Sequence, residues 1–333
     1  MRIIGFFNNK GGVGKTSLVY HLSWMFTELG HSVIAVDLDP QANLSAMFMD
    51  ESSLQKIWDG DNTIYTGLKP LMKGMGDIKT PKTHDYGRNG ANLGLIVGDM
   101  QLSGVDDELS AQWAHCLSST TSAERAFRVE SAFFRIIQDA CKKRDAEYAL
   151  VDVGPNLGAI NRAALLACDY IITPLSPDLF SWQGLRNMSA LTTWRKEWEK
   201  RKANYDEAVK DKHSPVHLPN GDLKVLGYVP MRFTIHAAKP VKSYKKWLAL
   251  MPEAFAELQK SASVPKSVDD DPNCLGMLKD YHSLMPMAQE HKKPMFNLTP
   301  ADGAFGAHTK HVQTCRGNFE ELAKKIINKI DNA

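Results

Sequence analysis

Ile3-Ile4-Gly5-Phe6-Phe7-Asn8-Asn9-Lys10-Gly11-Gly12-Val13-Gly14-Lys15-Thr16-Ser17 is the stretch on which the reading of the whole chain turns. An apolar run of strand character passes directly into a glycine-rich turn, and a helix is expected to begin near Lys15. A phosphate needs several backbone N–H groups converging on it with no side chain in the way, and Gly11, Gly12 and Gly14 permit that approach. Lys15 adds a point charge for the β and γ phosphates of a nucleotide, and the Thr16 hydroxyl is suited to ligate Mg2+. Val13 and Ser17 complete the cradle, and the helix N-terminus behind it contributes positive potential. The usual pattern G-x-x-x-x-G-K-[ST] asks for glycine where this chain has Asn9. A second lysine, Lys10, opens the loop instead.

Beyond the loop, Leu18, Leu22, Met25, Phe26 and Leu29 recur at helical spacing, and Gly30 supplies a stop. Ser32-Val33-Ile34-Ala35-Val36 is a continuous apolar run suited to a parallel strand buried on both faces. Strand, phosphate loop, helix and strand open a doubly wound, mostly parallel α/β sheet with helices on both faces. Ligands of such sheets bind outside the carboxyl ends of the strands. Asp37 and Asp39 emerge at one such end, and Asp152 at the end of the later run Tyr148–Val153.

Further strands are expected at Asn92–Gly98, Tyr170–Leu175 and Leu223–Met231, and helices at residues 126–143 and 158–168. From Trp182 to Lys212 the chain is helix-prone and becomes densely charged between Trp194 and Lys202. The C-terminal part reads as helical, with Phe319, Leu322, Ala323, Ile326, Ile327 and Ile330 on one face.

At 333 residues, with 43% hydrophobic and 23% charged residues, the chain has the composition of a soluble globular protein. A net charge of +2 leaves any nucleic-acid surface to a local patch. No apolar run approaches the length of a membrane span, and the N-terminus shows no secretory pattern. Five scattered cysteines without a C-x-x-C pair read as reduced thiols, so a cytoplasmic location is expected. The chain reads as one domain over 1–333, with additions at about 50–92 and 195–222.

Two lysines bracketing a glycine run resemble the deviant Walker A loop, K-G-G-x-G-K-[ST], of the ParA/MinD ATPases. The resemblance extends to Val36-Asp37-Leu38-Asp39-Pro40-Gln41-Ala42-Asn43, close to the family's V-D-x-D-P-Q-G-N. It continues in Leu150-Val151-Asp152-Val153-Gly154-Pro155-Asn156-Leu157-Gly158, similar to its Walker B segment. Asn161-Arg162-Ala163-Ala164-Leu165, Thr173-Pro174-Leu175-Ser176-Pro177 and Lys293-Pro294-Met295-Phe296 also fit. Ala42 and Val153-Gly154 depart from the pattern. The branch of the superfamily that carries iron–sulphur clusters is disfavoured by the cysteines.

The resemblance implies ATP and Mg2+ as ligands, with Thr16, Asp37 and Asp152 around the metal and Asp39 orienting the attacking water. It implies that Lys10 reaches the phosphates of the partner subunit in a nucleotide-sandwich homodimer, and that a protein activator stimulates slow hydrolysis. Met231 and Phe233 would lie near the adenine, or would equally be ordinary core residues. ParA-type members bind DNA without sequence preference, and Lys239, Lys242, Lys245 and Lys246 form the least acid-diluted basic cluster here. Arg186, Arg195, Lys196, Lys200, Arg201 and Lys202 are interleaved with Glu197 and Glu199 and read equally as a solvated helical face. A strand at the start of the chain leaves operator reading by an N-terminal helix-turn-helix unexpected. The alternatives are a regulatory ATPase acting through a protein partner of a plasmid, phage or defence operon, and a MinD-like membrane-cycling ATPase using Phe319–Ile330. A C-terminal helix packed on its own core is the preferred reading of that last stretch.

Overall fold

The continuous apolar runs become the strands of a sheet buried on both sides. The computed structural model describes residues 1–87, 92–118, 122–209, 215–233, 235–236, 239–240 and 242–333. Among them the strands are β1 (Arg2–Phe6), β2 (Val33–Leu38), β3 (His84–Asp85), β4 (Leu93–Ile96), β5 (Tyr148–Val153), β6 (Tyr170–Leu175), β7 (Lys224–Phe233), β8 (Ile235–His236), β9 (Lys239–Pro240) and β10 (Leu278–Lys279). The α-helices are α1 (Lys15–Glu28), α2 (Asn43–Phe48), α3 (Glu51–Asp59), α4 (Ile64–Met72), α5 (Asp106–His115), α6 (Ser122–Glu130), α7 (Ala132–Arg144), α8 (Ala159–Leu166), α9 (Leu179–Asn187), α10 (Ser189–Val209), α11 (Lys242–Gln259), α12 (Leu284–Glu290) and α13 (Ala307–Asp331).

Eight strands form one sheet in the order β10-β7-β6-β1-β5-β2-β4-β3. Their pairings are parallel except for the short edge strand β3, which runs antiparallel to β4. Side chains alternate across a strand, so each apolar run divides between two cores. Ile3, Ile34, Val36, Ala149 and Val151 face a layer that includes α4 to α8, α10 and α11. Ile4, Phe6, Val33, Ala35 and Leu150 face α1, α2, α12 and α13. This is the doubly wound α/β architecture expected from the opening strand, loop and helix.

Residues 51–72, poor in periodicity, form two nine-residue helices, each with a side-chain N-cap from Asp50 or Thr63. Ile64, Leu68 and Leu71 of α4 enter the core directly. The charged run of α10 has a concealed face as well: Leu191, Trp198 and Arg201 are buried. Trp198 donates from Nε1 to the Pro219 carbonyl at 3.0 Å. Arg201 is therefore removed from any solvated basic face, while Arg195 and Arg186 are engaged by Glu199 and Glu257.

On α13, Phe319, Leu322, Ala323, Ile326 and Ile330 are buried in the core beside α1, which covers the face an interfacial helix would have to expose. No helix among the described residues is long and apolar enough to cross a membrane.

Candidate nucleotide site

The loop between β1 and α1 is pinned before it reaches the glycines. Asn8 donates from Nδ2 to the Pro174 carbonyl at 2.7 Å, while its Oδ1 accepts from the Lys10 N–H at 2.9 Å. The chain then turns through Gly12 at φ +74° and Gly14 at φ +92°, backbone that a side chain would strain. Gly14 caps α1 without a side-chain hydrogen bond, and the first turn of the helix carries no acid. The first N–H groups of α1 and its dipole are thus left facing a cavity of about 430 Å³, lined by Lys10 to Ser17 together with Asp39, Gln41 and Pro155.

Beneath the loop, parallel register brings the acids together. Asp37 pairs across the sheet with Asp152, which in turn pairs with Phe6 of β1. Lys15 is buried and its Nζ stands 4.0 Å from Asp152. Neither Asp152 oxygen, both fully buried, makes a well-formed hydrogen bond. Burial raises the pKa of Asp152 above the carboxylate range against the pull of Lys15 and Thr16, and Asp39 adds repulsion.

Asp37 is better satisfied. Its Oδ2 accepts from the Ser45 N–H at 2.8 Å and the Ser45 hydroxyl at 2.7 Å, and its Oδ1 from the Asp39 N–H at 3.3 Å. Burial still raises its pKa strongly, helped by Asp152 and opposed by Ser45. Asp39 Oδ1 accepts from the Gln41 N–H at 3.0 Å, and its side chain lines the cavity. An excess of buried acid around a single buried ammonium suits an additional cation. Among the described residues no three His, Cys, Asp or Glu side chains are grouped to hold a metal unaided.

Lys10 points elsewhere. Its ammonium pairs with Asp178, the N-cap of α9, and lies 5.9 Å from the centre of the Phe180 ring. Phe180 is 70% exposed, with Leu179 and Leu157 also exposed. The two lysines of the loop therefore face different surroundings, one a buried acid pair and the other an accessible apolar surface.

A second cavity of about 470 Å³ adjoins the first and shares Gly14, Ser17, Met285 and Gln289 with it. Met231 lines this second cavity, together with Tyr281 and His282. Met231 is also packed in the core. The side chains of Phe233, Lys239 and Lys242 lie outside the described residues. Lys245 and Lys246 are exposed on α11, which packs against α9, with Lys246 Nζ 5.1 Å from the Trp247 ring centre.

Asp178, Ser45 and Met285 were not singled out from the sequence. Asp178 does carry a signal: it sits three residues before Ser181, whose N–H it accepts at 2.9 Å as a helix cap. Met285 has none because its partner Ser17 is distant in the chain, and Ser45, eight residues after Asp37, stands outside any motif.

A family model described as an AAA domain matches residues 1–204. An uncharacterised protein of Methanocaldococcus jannaschii is 28% identical over 252 residues, which are 76% of this chain and 81% of that protein. The chromosome partitioning protein ParA of Caulobacter vibrioides is 26% identical over 188 residues, 56% of this chain and 61% of that one. Among solved structures, protein DIP2308 from Corynebacterium diphtheriae superposes with a TM-score of 0.71 at 22% identity, covering 100% of both chains. pNOB8 ParA bound to nonspecific DNA gives 0.58 at 17% identity, covering 99% of both; these two establish the fold. The chain spans less than two thirds of Caulobacter ParA, so no whole-protein role transfers directly. With the family model covering residues 1–204 and the loop, the acids and the sheet order in agreement, the chain belongs to this AAA-domain family, as a member of its ParA/MinD group of P-loop ATPases.

Proposed function

We propose that this protein is an ATP-controlled switch of the cytoplasm. It binds Mg-ATP, forms a nucleotide-sandwich homodimer, hydrolyses ATP slowly, and in the dimeric state holds DNA without sequence preference in a partition-type process. The observation that carries the reading is the divergence of the two loop lysines, with Lys15 turned in to Asp152 and Lys10 turned out to Asp178 beside exposed Phe180. A monomeric phosphate loop has no use for the second.

In this reading the loop amides and Lys15 hold the β and γ phosphates. Asp39, at the cavity wall, orients the attacking water and accepts its proton. Gln41 keeps the Asp39 carboxylate in place through its N–H. Thr16 and Asp152 would hold Mg2+, with Asp37, anchored by Ser45, beside them. The orphaned Asp152 oxygens fit that role, and Mg2+ characteristically takes few protein ligands and completes its shell with water and phosphate oxygens. When bound, the ion supplies charge neutralisation along the phosphates. Lys10 leaves Asp178 to reach the phosphates of a second copy, a contact of the arginine-finger kind, worth roughly 10³–10⁵ in rate. Assembly and hydrolysis competence are then one event.

The DNA reading rests on Lys245 and Lys246 on α11, next to α9, and is supported by the likeness to a ParA structure with nonspecific DNA. Sedimentation velocity with ATP tests the dimer: the wild type should dimerise and Lys10→Ala should remain monomeric. A wild type that stays monomeric at high concentration sinks the proposal. DNA binding should require ATP and weaken steeply with salt, because neutralised phosphates release counterions. Absence of binding at low salt with ATP would favour a protein partner as the switch's target.

A further inference from the structure

The phosphate cavity has a third lysine, contributed from the far end of the chain. Lys292 follows α12 and lines the same cavity of about 430 Å³ as Lys10 and Lys15. Its Nζ donates to the Ala46 carbonyl at 2.7 Å, and Ala46 is also part of the cavity wall. An ammonium carries more than one donor, and no carboxylate pairs with Lys292 among the described residues. The adjacent Lys293 is spoken for: it binds Asp302 Oδ1 at 2.6 Å. Charge is therefore left over at the cavity on Lys292 and not on its neighbour.

The backbone makes the residue choice more pointed. Lys292 has φ +49°. The Lys293 N–H returns to the Ala288 carbonyl at 3.1 Å and the His291 N–H to Met287 at 3.0 Å. This is a left-handed helix end, where glycine is the unstrained residue. A lysine held there costs about 1 kcal/mol relative to glycine, as does Lys260 at φ +54° after α11.

Position also decides which phosphate Lys292 meets. Gln289, three residues earlier, and Met285 belong to the wall shared by the phosphate cavity and its neighbour lined by Met231 and Tyr281. Lys292 lines the phosphate cavity one turn of chain from that shared wall, which points to the base-binding side of the phosphate chain and away from the end held by Lys15.

We propose that Lys292 is a nucleotide-binding residue that contacts the α-phosphate of a bound adenine nucleotide, exchanging the Ala46 carbonyl for a phosphate oxygen. The inference rests on the reading of this cavity as the ATP site. It adds that binding by this contact is blind to the γ-phosphate, and that nucleotide unties Lys292 from α2.

Isothermal titration of ATP and of ADP, each with magnesium chloride, into wild type, Lys292→Gly, Lys292→Arg and Lys15→Ala tests it. Lys292→Gly should lose about 10-fold in affinity for both nucleotides alike, the scale of one charge-assisted hydrogen bond. Its thermal midpoint should hold or rise, because glycine relaxes the left-handed turn. A purely structural lysine would not give that pairing of lower affinity with undiminished stability. Lys292→Arg should retain affinity for both. Unchanged affinities in Lys292→Gly overturn the proposal, and a loss confined to ATP overturns the α-phosphate assignment. Failure of the underlying reading looks different: wild type that binds neither nucleotide, or Lys15→Ala that binds both normally.

Discussion

Two of the buried acidic sites among the described residues are completed in different ways. At the carboxyl ends of β2 and β5, Asp37 and Asp152 are fully buried beneath Lys15, and the Asp152 oxygens have no close hydrogen-bond partner. In the helical layer, Glu130 of α6 is equally buried and equally without a hydrogen bond. There the chain supplies its own cations: Arg162 Nη2 is 3.9 Å from Glu130, and Arg162 and Arg201 lie 4.2 and 3.8 Å from the Trp113 ring centre. The first cluster lies beneath Lys15 and Asp39, which line a cavity, whereas the second is roofed by Trp113, Trp198 and α10. A perturbed acid marks a functional site only when something can reach it. Access separates the two clusters, since burial does not.

The strongest test of that contrast is Lys15→Ala. Removing the ammonium should lower ATP affinity by about 100-fold or more, while Asp152, already raised in pKa, takes up a proton and lets the fold persist. Titration calorimetry alongside circular dichroism checks both halves. Unchanged affinity in a folded variant would remove the cavity from consideration as a phosphate site. Asp39→Ala should separate binding from turnover, keeping ATP bound while the hydrolysis rate falls about 100-fold. A parental rate in a phosphate-release assay would pass the water-orienting role to another residue.

Arg201→Ala addresses the sealed cluster. The variant loses the bonds from Arg201 to the Trp113 carbonyl at 2.9 Å and the Glu197 carbonyl at 3.1 Å, and with them the packing over Trp113. A loss of about 3 kcal/mol in urea unfolding is expected, with ATP affinity at the wild-type value. Should the affinity fall in step with stability, the two clusters are coupled and the contrast breaks.

The nucleotide side was legible because its residues are consecutive. The glycine loop, Asp37 and Asp39 and the Asp152 strand each announce themselves locally, and buried parallel strands read as unbroken apolar runs. What the chain concealed has no local motif or depends on distance in sequence. Ser45 serves Asp37 from a helix with no motif of its own, and Asp178 meets Lys10 across 168 residues. The Trp194–Lys202 run looked solvated because charges outnumber its apolar residues. Yet Leu191, Trp194, Trp198, Arg201 and Tyr205 recur at helical spacing, and that stripe is the side of α10 turned to the core. An arginine in an aromatic stripe was the missed signal. The cation-bearing side chain buries its planar head against Trp113 of α5.

Glu130→Gln gives the smallest and most selective effect. Burial pushes the Glu130 carboxyl up to about 8, against the opposing pull of Arg162 and Arg201. The unfolded chain titrates this group at about 4.3. Between those values the folded state binds a proton that the unfolded state does not, so the group's contribution to stability is present below about pH 4 and is lost as pH rises through 8. Glutamine is the uncharged isostere of the protonated acid. The variant should therefore match the wild type near pH 4 and exceed it by about 1 kcal/mol or more near pH 9, as read by urea unfolding at the two pH values. A variant less stable at pH 9 would mean that Glu130 is ionised beside Arg162 and Arg201 and that their attraction outweighs its burial. The helical cluster would then be a working ion pair, and the acids under the phosphate loop would be left waiting for a cation.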